Sequence, residues 1–278
     1  MQHRPSEDRT AQILRAVTFL APGIPREFFD SLLRILSDTL SCGVALAAET
    51  RSSGPMRPEE DLFRDGHADI GFVCSPSYVW LRSQPEPSID LVPVGFVFRD
   101  PRHDGDPVYY SEAVVRADSS AQRFADLEQR VWGYNDDSSL SGYYATLERL
   151  ASAGRGPDYF ERWVRTGSHG ASLRAIVAGE IDGAAIDSIA LANWGRANPE
   201  LRRSLRVVES WGPFPIQPVV ARAALNDDHK RAIALALLQI DAATSGLAAY
   251  GFDGCVPTDD SHYDSQRRAL EALRCRGK

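Results

Sequence analysis

The stretch LRAVTFLAPGIPREFFDSLLRILSDTLSCGVALAAET, Leu14 to Thr50, sets a buried strand, an amphipathic helix and a second strand end to end. LRAVTFLAP reads as a strand because its apolar residues run together and stop at Pro22-Gly23. PREFFDSLLRILSDTLSCG carries apolar residues at helical spacing and is expected to close at Gly43. A short helix is expected in RPEEDLFRDGHA and a third strand in DIGFVCSP, broken at Ser75-Pro76. SYVWLRS begins another helix, and LVPVGFVFRD is a further strand. Strands separated by helices predict a parallel sheet covered on both faces, so the fold class is α/β.

The polar break RDPRHDGDP, Arg99 to Pro107, precedes VYYSEAVVRADS, an apolar strand long enough to cross between lobes. A second cycle follows: helix FADLEQ, strand RVWGYND, helix YYATLERL, helix ASLRAIVAGEI, strand DGAAIDS, the helical stretch IALANWGRANPELRRS and strand LRVVESW. GPFPIQPVVARA is the second crossing. The remainder, NDDHKRAIALALLQI and YDSQRRALEALR, is helical and is expected to pack back on the first lobe. A chain of 278 residues with 43% apolar content supports two cores. The expected division places residues 1–108 and 214–278 in lobe I and 109–213 in lobe II, with a ligand cleft between them.

The net charge of −7, without basic runs interleaved with aromatics, argues against a nucleic-acid surface. Lys230 and Lys278 stand alone among 29 arginines, which leaves Lys230 or the C-terminal residue for any Schiff-base chemistry. Cys42, Cys74, Cys255 and Cys275 lie far apart, without zinc-like spacing, and read as buried free thiols; no metal or cofactor is expected. No apolar stretch reaches membrane-span length, so direct membrane insertion is not expected, and the chain is expected to be a monomer. MQHRPSEDRTAQ and the following ILRAVTFL do not make a signal peptide. A cytoplasmic protein is expected if Met1 is the native start, and a periplasmic one if a leader was removed.

In α/β folds, ligands collect where strands end and helices begin. The loops at Ala21 to Pro25, Cys74 to Tyr78, Asn135 to Gly142, Thr166 to Gly170 and Asp187-Ser188 are therefore the candidates. Ser138, Ser139, Leu140, Ser141 and Gly142 lead into the helix YYATLERL. The first amides of a helix lack internal partners and favour negative charge, and one cap needs only one hydroxyl, so several point to an anion. TGSHGAS, Thr166 to Ser172, repeats the arrangement with His169, a possible donor to an anion oxygen. Asp187 either caps the next helix or accepts a hydrogen bond from a protonated ligand oxygen or a ligand amine. A hydrolytic triad of Ser139, His169 and Asp187 is conceivable, yet no G-x-S-x-G elbow is present, and no catalytic residue is assigned.

YYSEAVVRADS, FADLEQRVWGYNDDSSLSGY, RTGSHGASLRAIVAGEIDGAAIDS and LRVVESWGPFPIQPVVAR, in that order, resemble the phosphate/phosphite/phosphonate substrate-binding proteins of ABC transporters, the PhnD-like family. GFDGCVPTDDSHYDSQRRAL is similar to that family's C-terminal end. The resemblance runs from about Asp69 onward and implies a two-lobed type II periplasmic-binding-protein fold with two crossing hinge strands. It also implies a small oxyanion ligand and an ABC permease as partner. Carried over by position, the ligand-binding set is Ser139, Ser141, Gly142, His169 and Tyr78, with Tyr110 at the hinge and Asp187 on the cleft wall; Ser138 and Ser77 adjoin them. Two positions depart from the family pattern. Leu140 replaces a threonine, and Ile216-Gln217 stands where an asparagine or aspartate is frequent. The loss of a hydroxyl and of an amine-binding carboxylate argues against an aminoalkylphosphonate; phosphate, phosphite or another phosphonate is the expected ligand, with a different oxyanion or a small acidic organic molecule as the alternative. A cytoplasmic sensor or a repurposed enzyme on the same fold is the alternative.

Overall fold

A computed structural model of the chain describes residues 13–20, 23–50 and 53–276. The polar first twelve residues and Ala21-Pro22, where the sequence pattern stops the first strand, lie outside the described residues, as does the side chain of Cys275. β1 (Ile13–Thr18) leads to α1 (Arg26–Leu40) and β2 (Gly43–Ala48). α1 buries Phe28, Phe29, Leu32, Leu33 and Leu36, the stripe that its spacing dictates. The helix ends at Leu40, where Ser41 rather than Gly43 takes the left-handed conformation and donates its amide to the Ser37 carbonyl. RPEEDLFRDGHA forms only a 3-10 turn, Pro58–Glu60. Asp61 accepts from the amides of Phe63 and Arg64, a local side-chain bond that competes with helix continuation.

β3 (Ile70–Phe72) feeds α2 (Ser75–Arg82), whose Pro76 sits in the first turn, where a missing amide costs nothing. LVPVGFVFRD is two strands, β4 (Ile89–Leu91) and β5 (Val94–Phe98), separated at Pro93 because proline has no amide to give a ladder. β6 (Val108–Arg116) is the first crossing. A 3-10 turn, Phe124–Leu127, stands where FADLEQ predicts a helix, and leads to β7 (Val131–Tyr134). A π turn over Leu140–Tyr144 then opens α3 (Ala145–Ser152). β8 (Arg162–Arg165), α4 (His169–Ala178), β9 (Gly183–Asp187), α5 (Ser188–Ala197), α6 (Pro199–Arg202) and β10 (Leu205–Pro215) complete the second cycle. β11 (Val219–Arg222), α7 (Asp227–Leu238), α8 (Ala242–Ser245), β12 (Phe252–Pro257) and α9 (Asp264–Arg276) follow.

The strands form two five-stranded sheets, ordered β2-β1-β3-β11-β4 and β10-β6-β9-β7-β8, and a two-stranded ribbon, β12-β5. Neither large sheet is wholly parallel, contrary to the sequence expectation. β11 runs antiparallel to β3 and β4, and β6 runs antiparallel to β9 and β10. The reversal follows from the connectivity: β6 carries the chain into the second sheet, while β10 and β11 carry it back. β12 replaces an all-helical C-terminal region. It pairs with β5 from Phe252 opposite Phe98 to Pro257 opposite Val94, and the rings of Phe98 and Phe252 pack 5.7 and 5.5 Å from Phe28. The two crossings place strand ends of both sheets around one interlobe space.

Candidate ligand-binding site

The serine-rich turn is built by Ser139, which caps it by accepting from the Gly142 amide at 3.1 Å. Its π geometry, common at functional sites, turns both Ser141 groups inward. The Ser141 carbonyl accepts from Ser111 Oγ on β6 at 2.7 Å, and Ser141 Oγ lies 3.2 Å from His169 Nε2. Only glycine fits at position 142, because a Cβ there would lie 1.8 Å from Asn135 Oδ1. Four of the sequence-assigned residues, Ser139, Ser141, Gly142 and His169, therefore converge.

His169 is the first residue of α4, whose cap is Ser168 accepting from the Ala171 amide. The imidazole is buried, and burial holds its pKa down to about 4, with Asp136 acting weakly in the other direction. It is thus neutral at neutral pH. Ser138 has a different place. Its hydroxyl donates to Asp136 and accepts from the Ser53 amide at 3.0 Å, and Ser53 Oγ donates to Asp136 Oδ2 at 2.7 Å. Leu140 is buried, and its amide donates to Cys74 Sγ at 3.3 Å. These bonds tie the loops around residues 53 and 74, on the side of the first sheet, to the serine turn on the side of the second. Between them lies a chamber of about 40 Å³ lined by Phe19, Leu20, Ser53, Asn135, Asp136 and His169 among others. It adjoins a larger outer cavity of about 950 Å³ and shares Phe19, Thr50, Asp136 and Gly167 with it.

Asp187 caps α5, its Oδ1 accepting from the amides of Ile189 and Ala190 at 2.7 and 3.1 Å, and its Oδ2 accepts from Gln217 Nε2 at 2.6 Å. Burial raises its pKa to about 6 against those donors. Gln217, one of the two departures from the family pattern, is thus the partner of Asp187. Ser139, His169 and Asp187 do not form a relay: His169 meets Ser141, and both oxygens of Asp187 are engaged elsewhere.

The two assigned tyrosines stand apart from this cluster. Tyr78 donates its hydroxyl to Asp260 and packs its ring 4.9 Å from Tyr263. Tyr110 donates its amide to Ser188 Oγ, and its ring lies under Arg102 at 3.7 Å. The tyrosine beside the serine turn is Tyr109, fully buried next to Ser141, whose phenol is pushed well up by burial and by Cys74 and Asp187. Its hydroxyl lies against Ser141 and Cys74 without a well-formed hydrogen bond, and Ser75 Oγ and Ser77 Oγ at the start of α2 have no partner within the protein. Ser77 is crowded by the backbone of Gly54, where a Cβ would come within 2.4 Å of its hydroxyl oxygen. Tyr109 and Ser111 share one face of β6, so strand alternation from Ser111 was the signal for choosing Tyr109. Asn135 and Asp136 lie inside the serine-rich motif, but nothing in their local sequence marks a role for either.

Lys230 donates to Asp90 at 2.7 Å and to the Ala223 carbonyl, in the packing of α7 on the first sheet. Cys42, Cys74 and Cys255 are free thiols, of which Cys74 is buried and the other two are half-buried. Among the described residues, no group of acidic, histidine or cysteine side chains is gathered to hold a metal, and no helix is long and apolar enough to cross a membrane.

A family model described as the periplasmic substrate-binding protein of the phosphonate ABC transporter matches residues 26–263. No curated protein matches the chain. Among solved structures, the chain is similar to a binding-protein component of an ABC phosphonate transporter from Pseudomonas aeruginosa. The TM-score is 0.81 at 17% identity, over 95% of this chain and 87% of that one. It is also similar to PhnD1 from Prochlorococcus marinus in complex with methylphosphonate, with a TM-score of 0.79 at 16% identity over 95% and 99% of the two chains. The aliphatic sulphonate-binding protein SsuA from Escherichia coli is more distant, with a TM-score of 0.63 at 14% identity over 94% and 86%. These likenesses carry the two-lobed type II fold.

Proposed function

The chain belongs to the periplasmic phosphonate-binding family of ABC transporter proteins, and from that premise we propose that Ser75, Ser77, Tyr109, Ser139, Ser141 and His169 hold the oxyanion head of its ligand. As a member of that family it is the substrate-binding component of an ABC transporter and captures a small oxyanion of the phosphonate, phosphite or phosphate type between its lobes. The observation that carries the site is the Ser139-capped turn, with Ser141 against His169 and beside the buried Tyr109 phenol, together with the buried hydroxyls of Ser75 and Ser77, which have no partner in the protein. A buried polar group left unsatisfied costs about 1–3 kcal/mol, and a tetrahedral oxyanion offers the acceptors that would satisfy several at once. Neither lysine nor arginine is among the described residues lining the inner chamber, so the head group is held by neutral donors: hydroxyls, helix-start amides and the neutral imidazole.

In this reading Ser138 is a strut that closes the lobes through Ser53, and Asp187 with Gln217 shapes the wall. Tyr78 and Tyr110 support the scaffold from behind. An organic substituent would extend into the outer cavity. The lobes divide near residues 108 and 214, as the change from the first sheet to the second at β6 and back at β10 suggests. We read the protein as non-catalytic, because Asp187 does not reach His169, and as a monomer whose partners are the ligand and a permease, without nucleic acid. His169→Ala and Ser139→Ala should each weaken methylphosphonate binding by about 1–3 kcal/mol in a calorimetric titration. Unchanged affinity in both variants would refute the site.

A further inference from the structure

β6 has two faces. Tyr109 and Ser111 look toward the serine turn, whereas Val108 and Glu112 look the other way and line a second cavity of about 290 Å³. The walls of this cavity come from both sides of the hinge: Phe98 to His103 and Tyr250-Gly251 on one, and α5 with Arg202 on the other. Four guanidiniums line it, against the carboxylates of Asp100 and Glu112. Arg102 engages both of those, at 2.5 and 2.8 Å, and Arg99 reaches Asp253 at 2.5 Å. Arg196 donates to Asn193 Oδ1 at 3.0 Å and Arg202 to the Leu205 carbonyl at 3.1 Å, and among the described residues neither forms an ion pair. Arg196 is laid against the backbone of Gly251, where a Cβ would come within 2.7 Å of its Nη2. His103 in the same wall has a buried Nδ1 without a partner.

We propose that this cavity is a second anion site, taking a diphosphate-type group on Arg196 and Arg202 and bridging the two lobes at the back of the hinge. Two guanidiniums without carboxylate partners present planar forks that match phosphoryl oxygens, and the cavity volume admits two phosphoryl units. The site shares no residue with the inner chamber, so it stands or falls independently of the head-group assignment.

The test is calorimetric titration of ligand-stripped, full-length protein with inorganic pyrophosphate. Saturable binding is expected. It should weaken by about tenfold or more in the double variant Arg196→Gln/Arg202→Gln, in keeping with the loss of charge-assisted hydrogen bonds, while methylphosphonate binding in that double variant stays within about twofold of the parent. Each single glutamine variant, shown to be folded by an unchanged thermal midpoint, should lose about threefold or more. Absence of saturable binding, or wild-type pyrophosphate affinity in the glutamine variants, would overturn the proposal.

Discussion

Asp69 and Asp187 are both buried carboxylates at strand ends, and their surroundings act on them in opposite directions. Asp69, before β3, accepts from the amide and guanidinium of Arg15 and from the guanidinium of Arg222, with contacts of 2.9 to 3.1 Å. Burial pushes its pKa up, but the two arginines outweigh it and hold the carboxyl below its usual range. Asp187, at the end of β9, has backbone amides and Gln217 as donors, and burial wins, raising its pKa to about 6. The framework of the first lobe meets charge with charge, whereas the cleft meets it with dipoles. An inner chamber lined, among the described residues, by neither lysine nor arginine can hold an oxyanion on neutral donors and release it again.

The same substitution at the two positions should therefore have opposite signs. Asp69→Asn removes a buried carboxylate from two guanidiniums that water still reaches, and should cost about 3 kcal/mol at pH 7 by urea unfolding. A loss below about 1 kcal/mol would mean that the ion pairs contribute nothing beyond packing. Next in size is Gly142→Ala, whose Cβ has no room beside Asn135. Overpacking should cost about 2–3 kcal/mol and remove methylphosphonate binding together with the turn. Retained binding would show that Asn135 can move aside.

Asp187→Asn keeps a capping side chain but removes the ionisation. With a folded-state pKa near 6, above the unfolded value of about 3.9, the native carboxyl holds a proton that the unfolded chain has released. The stability contributed by Asp187 is accordingly present below about pH 4 and lost as pH rises to about 6. The asparagine variant should be more stable than the parent at pH 7 by about 2 kcal/mol, an advantage that vanishes near pH 4. His169 has the reverse sign. Its folded pKa of about 4 lies below the unfolded value of about 6.5, so its contribution is lost as pH falls through that window. The two opposing slopes flatten the parent's profile, and Asp187→Asn should steepen it; identical profiles would contradict the assignment. The smallest effect is expected on the surface. Arg26→Ala breaks an exposed pair with Asp30 at 3.3 Å and should change stability by less than about 0.5 kcal/mol in a thermal melt.

Hydrophobic periodicity made most of the α/β succession and both crossings legible, because most strands and helices bury a face that leaves a pattern. Strand direction was not legible. That β11 runs against β3 depends on where the chain returns, which periodicity does not encode. β4 and β5 merged into one expected strand although Pro93 marked the break, and β12, with glycine at 251 and 254, lacked the apolar run that signals a strand. Within the site, the serine turn and His169 were visible because capping chemistry is local. Ser53, Cys74 and Tyr109 reach it from distant parts of the chain, and only the packing of the lobes brings them there.

The most direct test of the neutral-donor cleft is calorimetric titration of unfolded-and-refolded protein with methylphosphonate, phosphite, phosphate and 2-aminoethylphosphonate at low and high salt. The account predicts one-to-one saturable binding of at least one of them, with an affinity that changes little with salt because no lysine or arginine faces the head group. No heat across the panel, or an affinity that collapses as salt is raised, would contradict it.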